Sequence, residues 1–386
     1  MKGRISYIDG IRGIAVLMVT FCHFSSIFLY NIKDVANVEG IIFNNTPLSF
    51  VIYGNTSVQC FFILSGFLIA SNIYQFGLKN YSPLKTYKKL FRIILPAIVL
   101  VFLLMSFGLV FHTKAADIYP ELSYAYQYNN FVPSFGLMVK EIFYTTFFKS
   151  SSQYVPPFWT MSYEFVGSIF TTLLVYLTKN QPKRNRYILY ICLCFIILFM
   201  FSDSYMSFIL GTLLFEIQSD INDSRNALKV QKIKSIFLIK LCLVFLMLLG
   251  IYFAGAADGY SGIYRILAYI PGLSNHPVIF RSGGVFLCLL VILNSQWLKK
   301  ILAFKAISFI GNNSGYIYAF HWTVIISLGC GMYMLCIEYL PKWLLLPILF
   351  CFAVGVPIAL GYGCKALYKQ VDKLEKKLFM VLQKQN

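Results

Sequence analysis

The chain has 386 residues, of which 58% are hydrophobic and 12% charged, with a formal net charge of +18. A soluble globular domain carries about a quarter charged residues, so this composition and a mean hydropathy of +0.69 argue against a soluble protein. The positive charge lies in short clusters between apolar blocks, with no single basic face or tail, which excludes a nucleic-acid surface and matches the topological signal of membrane proteins.

In chain order, ten spans are expected over residues 11–30, 54–74, 91–111, 158–177, 187–201, 205–217, 235–254, 282–296, 306–330 and 343–364. The fold class is therefore an all-α, polytopic membrane helix bundle. Apolar blocks near 20 residues match a hydrocarbon core about 30 Å thick. The first block contains Arg12 and His23, lacks a small-residue cleavage site and is followed by further spans, so it is a retained helix rather than a signal peptide. The fifth and sixth spans are short and joined by Ser202-Asp203-Ser204. The polar stretch Gly311-Asn312-Asn313-Ser314-Gly315 interrupts the ninth, a break tolerated only where protein or a water-filled cavity surrounds it. Loops at 31–53, 112–157 and 255–281 are rich in Tyr, Asn, Ser and Gly, and Phe135–Phe148 reads as an amphipathic helix at the interface. Residues 1–365 form the transmembrane domain, and 366–386 a short basic tail expected as a helix on the inner leaflet.

Orientation follows from lysine and arginine. With the N-terminus cytoplasmic and ten spans, the inner side holds clusters that include Lys2, Arg4, Arg12, Lys79, Lys88, Lys89, Arg92, Lys229 and Lys232, and the tail. Twenty-six of the 33 basic residues then fall inside, and seven, among them Lys33, Lys114 and Arg281, outside. Such a bias places both termini in the cytoplasm.

The ten cysteines fall mostly within apolar blocks with no C-x-x-C spacing, so neither disulfides nor a metal site is expected. An ionisable group inside an apolar span is costly and marks a functional site by default. The candidates are Arg12, His23, Glu164 and His321, with Asp9 at a span boundary. Arg12 and His23 are eleven residues apart, which on a helix leaves about 20° of rotation and roughly 16 Å of rise. Both side chains share one face, with Arg12 at the cytoplasmic mouth and His23 near the membrane centre. That arrangement suits a substrate whose anionic part stays inside while its reacting end reaches inward. The structural alternatives are a snorkelling anchor for Arg12 and an interhelical hydrogen bond for His23.

Five motifs then carry a resemblance. They are Tyr7-Ile8-Asp9-Gly10-Ile11-Arg12-Gly13 with His23 after it, Cys60–Ile69, the basic run Lys88-Lys89-Leu90-Phe91-Arg92 ahead of Pro96, Phe158-Trp159-Thr160-Met161-Ser162-Tyr163-Glu164, and Ser314–Trp322 ending in His321-Trp322. In this order they resemble the membrane-bound acyltransferase-3 family, with lysines at 88 and 89 where arginines are usual. The resemblance runs from residue 5 to about 365. It implies transfer of an acyl group, commonly acetyl from acetyl-CoA as donor substrate, to a hydroxyl of an envelope glycan, by a multi-pass protein of the bacterial cytoplasmic membrane. No permanently bound cofactor is implied; the partners are membrane lipid, acyl-CoA and a glycan acceptor.

On that implication His23 serves as general base, since an imidazole takes and gives a proton near neutral pH. Glu164 is the candidate to orient an imidazole, or else a group that holds helices together. Arg12, Lys88, Lys89 and Arg92 offer charge-assisted donors to the CoA phosphates. Tyr163, Asn312, Asn313, Ser314 and His321 are candidate acceptor-binding or polar lining residues. Two other classes compete: a transporter that moves a polar lipid or glycan without acyl transfer, and a sensor that keeps the fold without turnover.

Overall fold

Apolar blocks separated by basic and Gly/Asn/Ser-rich stretches fold as helices throughout the computed structural model, which describes residues 5–29, 43, 45–78, 82–200, 203–227, 234–256, 262–270 and 276–384. No strand occurs among the described residues. The long helices are α1 (Ser6–Phe28), α2 (Gly54–Phe76), α3 (Pro83–Ser106), α4 (Trp159–Thr178), α5 (Lys183–Met200), α6 (Met206–Ala227), α7 (Lys234–Ala254) and α8 (Pro277–Asn294). The broken span follows as α9 (Lys305–Asn312) and α10 (Ser314–Val324), and α11 (Lys342–Lys384) closes the chain. Expectations on Lys2, Arg4, Lys33, Lys79, Ser202, Lys229 and Lys232 lie outside the described residues.

Among the described residues, seven helices are long and apolar enough to cross a membrane. They are α1, α2, α3, the stretch Pro156–Thr178 containing α4, α8, Ser314–Cys336 and the Lys342–Leu374 part of α11. Of the remaining three expected spans, the fifth lies in α5 and the seventh in α7, which holds the apolar stretch Ile239–Ala254. The sixth segment, expected to stop at 217, continues as helix to Ala227 because its acidic end meets the basic start of α5. Arg186 Nη2 lies 2.8 Å from Glu216 Oε2, and Lys183 pairs with Asp220. Helix α11 runs through residue 365, the end expected for the transmembrane domain, without a break.

Local sequence sets the helix ends. Ser82 caps α3 by accepting from Leu84 N at 3.3 Å, with Pro83 at the first helical position, where its missing N–H costs nothing. The α9–α10 break is organised by Asn313, fully buried. Its Nδ2 donates to Phe309 O at 2.9 Å, and its Oδ1 accepts from Lys365 Nζ at 3.0 Å, which ties the break to α11. Residues 135–148 are helical as expected, but the register is inverted from a simple surface helix. Glu141 is buried, accepting from Ser152 Oγ at 2.7 Å and from Gln153 N at 2.6 Å, while Phe135, Phe143 and Phe148 are exposed. Desolvation raises the Glu141 pKa, opposed by those donors.

Close packing rests on small residues, as expected where lipid supplies no hydrophobic drive between helices. Helix α1 crosses α9 with backbones in contact. A Cβ on Gly311 would lie 1.6 Å from Asp9 O, and one on Gly13 2.5 Å from Ile307 O. Helices α2 and α6 repeat the device at Gly66 and Gly211, where Cβ atoms would sit 2.3 Å from Phe208 O and 2.2 Å from Ile63 O. Ser207 reinforces that seam by donating to Gln59 Oε1 at 2.7 Å.

Replacing Gly311 by Ala therefore forces α1 and α9 apart. Overpacking of this kind costs about 1–3 kcal/mol or more, so the purified variant is expected to unfold at lower temperature with reduced monodisperse yield. Gly283→Ala, where a Cβ meets nothing within 4 Å, is the control that should behave as wild type. Equal behaviour of the two variants would show that the α1–α9 contact tolerates separation.

Candidate active site

Four helices and the α9–α10 break converge on a cavity of about 540 Å³. Arg12 enters it from α1, Phe61 and Ser65 from α2, Lys85, Lys88, Lys89 and Arg92 from α3, and Thr160 and Glu164 from α4. Asn312, Ser314, Tyr316 and Tyr318 complete the wall. Five cations thus surround one carboxylate in a concave site walled by aromatic residues. The α1–α9 contact explains the convergence, because it brings Arg12 beside the broken span whose freed polar groups face the cavity. Arg12 is steered by Asp9 on the preceding turn, with Nη1 3.7 Å from Asp9 Oδ1.

Glu164 accepts a hydrogen bond from Ser65 Oγ at 2.7 Å and lies within electrostatic reach of Lys89 and Arg12. A buried carboxylate needs such partners, since an isolated charge loses far more solvation than one contact returns. Arg92 pairs with Asp372, and its guanidinium stands 5.3 Å from the Tyr368 ring centre.

The two histidines form a second cluster deeper in the bundle. The His23 and His321 rings lie 5.2 Å apart, and Trp322 meets His23 edge-on at 5.5 Å. His321 is fully buried. Its Nδ1 is 2.9 Å from Tyr318 O and 3.1 Å from Ile317 O. Carbonyls only accept, so Nδ1 carries the proton and Nε2 is a bare lone pair, buried without a hydrogen-bond partner. Tyr318 joins the two clusters: it lines the cavity, its ring is 5.8 Å from that of His321, and its hydroxyl contacts Pro157 O at 2.6 Å and Thr160 Oγ1 at 2.7 Å.

Of the residues singled out from sequence, Arg12, Lys88, Lys89, Arg92, Glu164, Asn312 and Ser314 line the cavity, while His23 and His321 face each other beyond it. The carboxylate of Glu164 is engaged by Ser65, and the imidazole beside His23 is that of His321. Tyr163 is turned elsewhere, into an aromatic cluster with Trp159 at 5.5 Å and Tyr205 at 5.0 Å. One helical step from Glu164 is about 100°, enough to put it on a different face.

Sequence reasoning missed Ser65, Lys85, Thr160, Tyr316 and Tyr318 as cavity residues, although all but Lys85 lie inside quoted motifs. It also missed the outer clamp. Asn129, at positive φ of 50°, donates to Tyr154 O at 3.0 Å and accepts from Trp322 Nε1 at 2.9 Å. That pair bolts the 112–158 segment over the histidines. His112 is buried in this segment with Nε2 2.7 Å from Tyr128 O, and desolvation lowers its pKa, which favours the neutral form.

Compared with known proteins, residues 5–362 match the family model described as an acyltransferase domain. No curated protein and no solved structure matches the chain.

Removing the Ser65 hydroxyl strands the Glu164 carboxylate. A buried acceptor left unmade costs about 1–3 kcal/mol, so Ser65→Ala should lower the unfolding midpoint in detergent. The loss should shrink in a Glu164→Ala background, where no carboxylate remains to be stranded. Strictly additive losses in this double-mutant cycle would mean that the bond contributes nothing.

Proposed function

The chain belongs to the acyltransferase-3 family and is a membrane acyltransferase; from that premise we propose that it is an O-acyltransferase using acetyl-CoA. In this reading it moves acetyl from the cytoplasmic donor to a hydroxyl of an extracytoplasmic polysaccharide or lipid-linked glycan, across a bacterial cytoplasmic membrane. The lysine and arginine distribution supports ten crossings with both termini inside. The observation that carries the proposal is the cationic cavity joined through Tyr318 to the His23–His321 pair. Such a site matches a molecule with a polyanionic handle and a neutral reacting end.

The roles follow from the chemistry of each group. Arg12, Lys88, Lys89 and Arg92 bind the CoA phosphates, Arg12 and Arg92 as planar forks and the lysines as point charges. Glu164, set among these cations, limits their mutual repulsion when no donor is present and keeps Arg12 and Lys89 in place. His23 removes the proton from the acceptor hydroxyl as its oxygen attacks the thioester carbonyl. Collapse of the tetrahedral adduct breaks the C–S bond, and the proton held by His23 passes to the departing thiolate. His321, whose protonated Nδ1 is committed to backbone carbonyls, offers Nε2 as an acceptor that positions the neighbouring imidazole. Asn312 and Ser314 supply polar contacts along the cavity wall.

Loss of a positioned general base costs about 10²–10⁴ in rate. His23→Ala is therefore expected to abolish detectable acetyl transfer, followed by mass spectrometry of surface glycans, while the protein still inserts. Normal acetylation in that variant would eliminate His23 as the base.

Arg12→Ala is expected to weaken acetyl-CoA binding roughly 10- to 100-fold, the equivalent of about 1.5–3 kcal/mol for a hydrogen bond to a charged group. Calorimetry on purified protein decides it, with unchanged donor affinity the contrary result. Consumption of acetyl-CoA by wild type in the presence of acceptor separates this reading from transport without chemistry.

A further inference from the structure

A second cavity, of about 460 Å³, adjoins the first and has no counterpart in the mechanism above. Arg92 and Tyr316 line both, so the two cavities meet at these side chains. The far wall belongs to α11. That helix has 43 residues, about 65 Å at 1.5 Å per residue, which is twice the hydrocarbon thickness of a bilayer. Its last turns consequently stand clear of the membrane. The family match ends at residue 362, and the α11 residues of the groove begin at Lys365, beyond the matched segment.

The pattern on that extension is one-sided. Lys365, Tyr368, Lys369 and Asp372 follow the i, i+3, i+4, i+7 spacing of a single helical face, with Lys373 beside them. The acid is already spoken for, because Asp372 pairs with Arg92 and holds its guanidinium at the junction of the two cavities. Lys365 is likewise anchored, donating to Asn313 and standing 5.2 Å from the Tyr316 ring centre. Lys369 and Lys373 make no ion pair among the described residues. The groove therefore combines two uncommitted cations, two tyrosine rings and a shared arginine at its mouth.

We propose that this groove binds the nucleotide end of acyl-CoA: the 3′-phosphate between Lys369 and Lys373, the adenine against Tyr316 and Tyr368, and the diphosphate between Arg92 and the Arg12, Lys88 and Lys89 cations of the first cavity. The pantetheine arm then runs into the first cavity toward the histidines. Aromatic rings give a purine a stacking surface, and an ammonium binds phosphate as a point charge. This assignment rests on the acyl-CoA reading given above. An anionic phospholipid headgroup has the same phosphate chemistry, and the experiment distinguishes the two.

The full-length protein in nanodiscs, prepared from phosphatidylcholine with and without phosphatidylglycerol, is titrated with acetyl-CoA and with its 3′-dephospho form. Wild type should bind acetyl-CoA about ten-fold more tightly than the dephospho compound, the contribution of a charged contact. Lys369→Gln/Lys373→Gln should lose that ten-fold for acetyl-CoA, leave the dephospho affinity unchanged, and do so in both lipids. Equal binding of the two donors by wild type, or discrimination retained in the variant, overturns the groove assignment while the donor reading stands. A variant effect seen only with phosphatidylglycerol makes the groove a lipid headgroup site and overturns it too. Failure of wild type to bind either thioester overturns the donor reading, and the groove assignment with it.

Discussion

Everything in the candidate site depends on the backbone contact between α1 and α9. With Gly13 on one side and Gly311 on the other, the two helices approach until the carbonyl of Asp9 occupies the space a side chain would need. No lipid-facing hydrophobic force drives such an approach; it comes from van der Waals contact and from backbone groups brought within mutual reach. The contact has two consequences. It places Arg12 next to the break in the ninth span, and it sets the axis along which His23 of α1 and His321 of α10 come face to face.

The break itself is tolerable because its polar groups are accounted for. Irregular backbone at membrane depth is stable only when buried in protein or exposed to a water-filled cavity. Asn313 is buried and hydrogen-bonded to Phe309 and Lys365, while Asn312 and Ser314 open onto the cavity. One interruption thereby anchors the long terminal helix and lines the site.

Electrostatics divides the interior into two zones. The cavity zone gathers lysine and arginine around a single carboxylate, an arrangement that is costly to leave empty and favourable to a polyanion. The histidine zone lies against Trp322 and Tyr318, with His321 buried and His23 partly exposed, and Asn129 ties the overlying segment to Trp322.

Much of this was written in the chain order of residues. Apolar block length dictated helices, and the eleven-residue spacing of Arg12 and His23 put both on one face, since these properties are local or periodic. Glu164 and the α9–α10 break were also legible, because a polar group in an apolar run declares itself. What the sequence could not determine was partnership. Glu164 meets Ser65, His23 meets His321, and Trp322 meets Asn129, and each pair joins segments far apart in the chain. Tyr163 shows the same limit in reverse, a plausible lining residue that the rotation of α4 turns into an aromatic cluster. Periodicity assigns a residue to a face of its own helix; only the packing of helices, decided here by where glycine lets backbones touch, determines what that face meets.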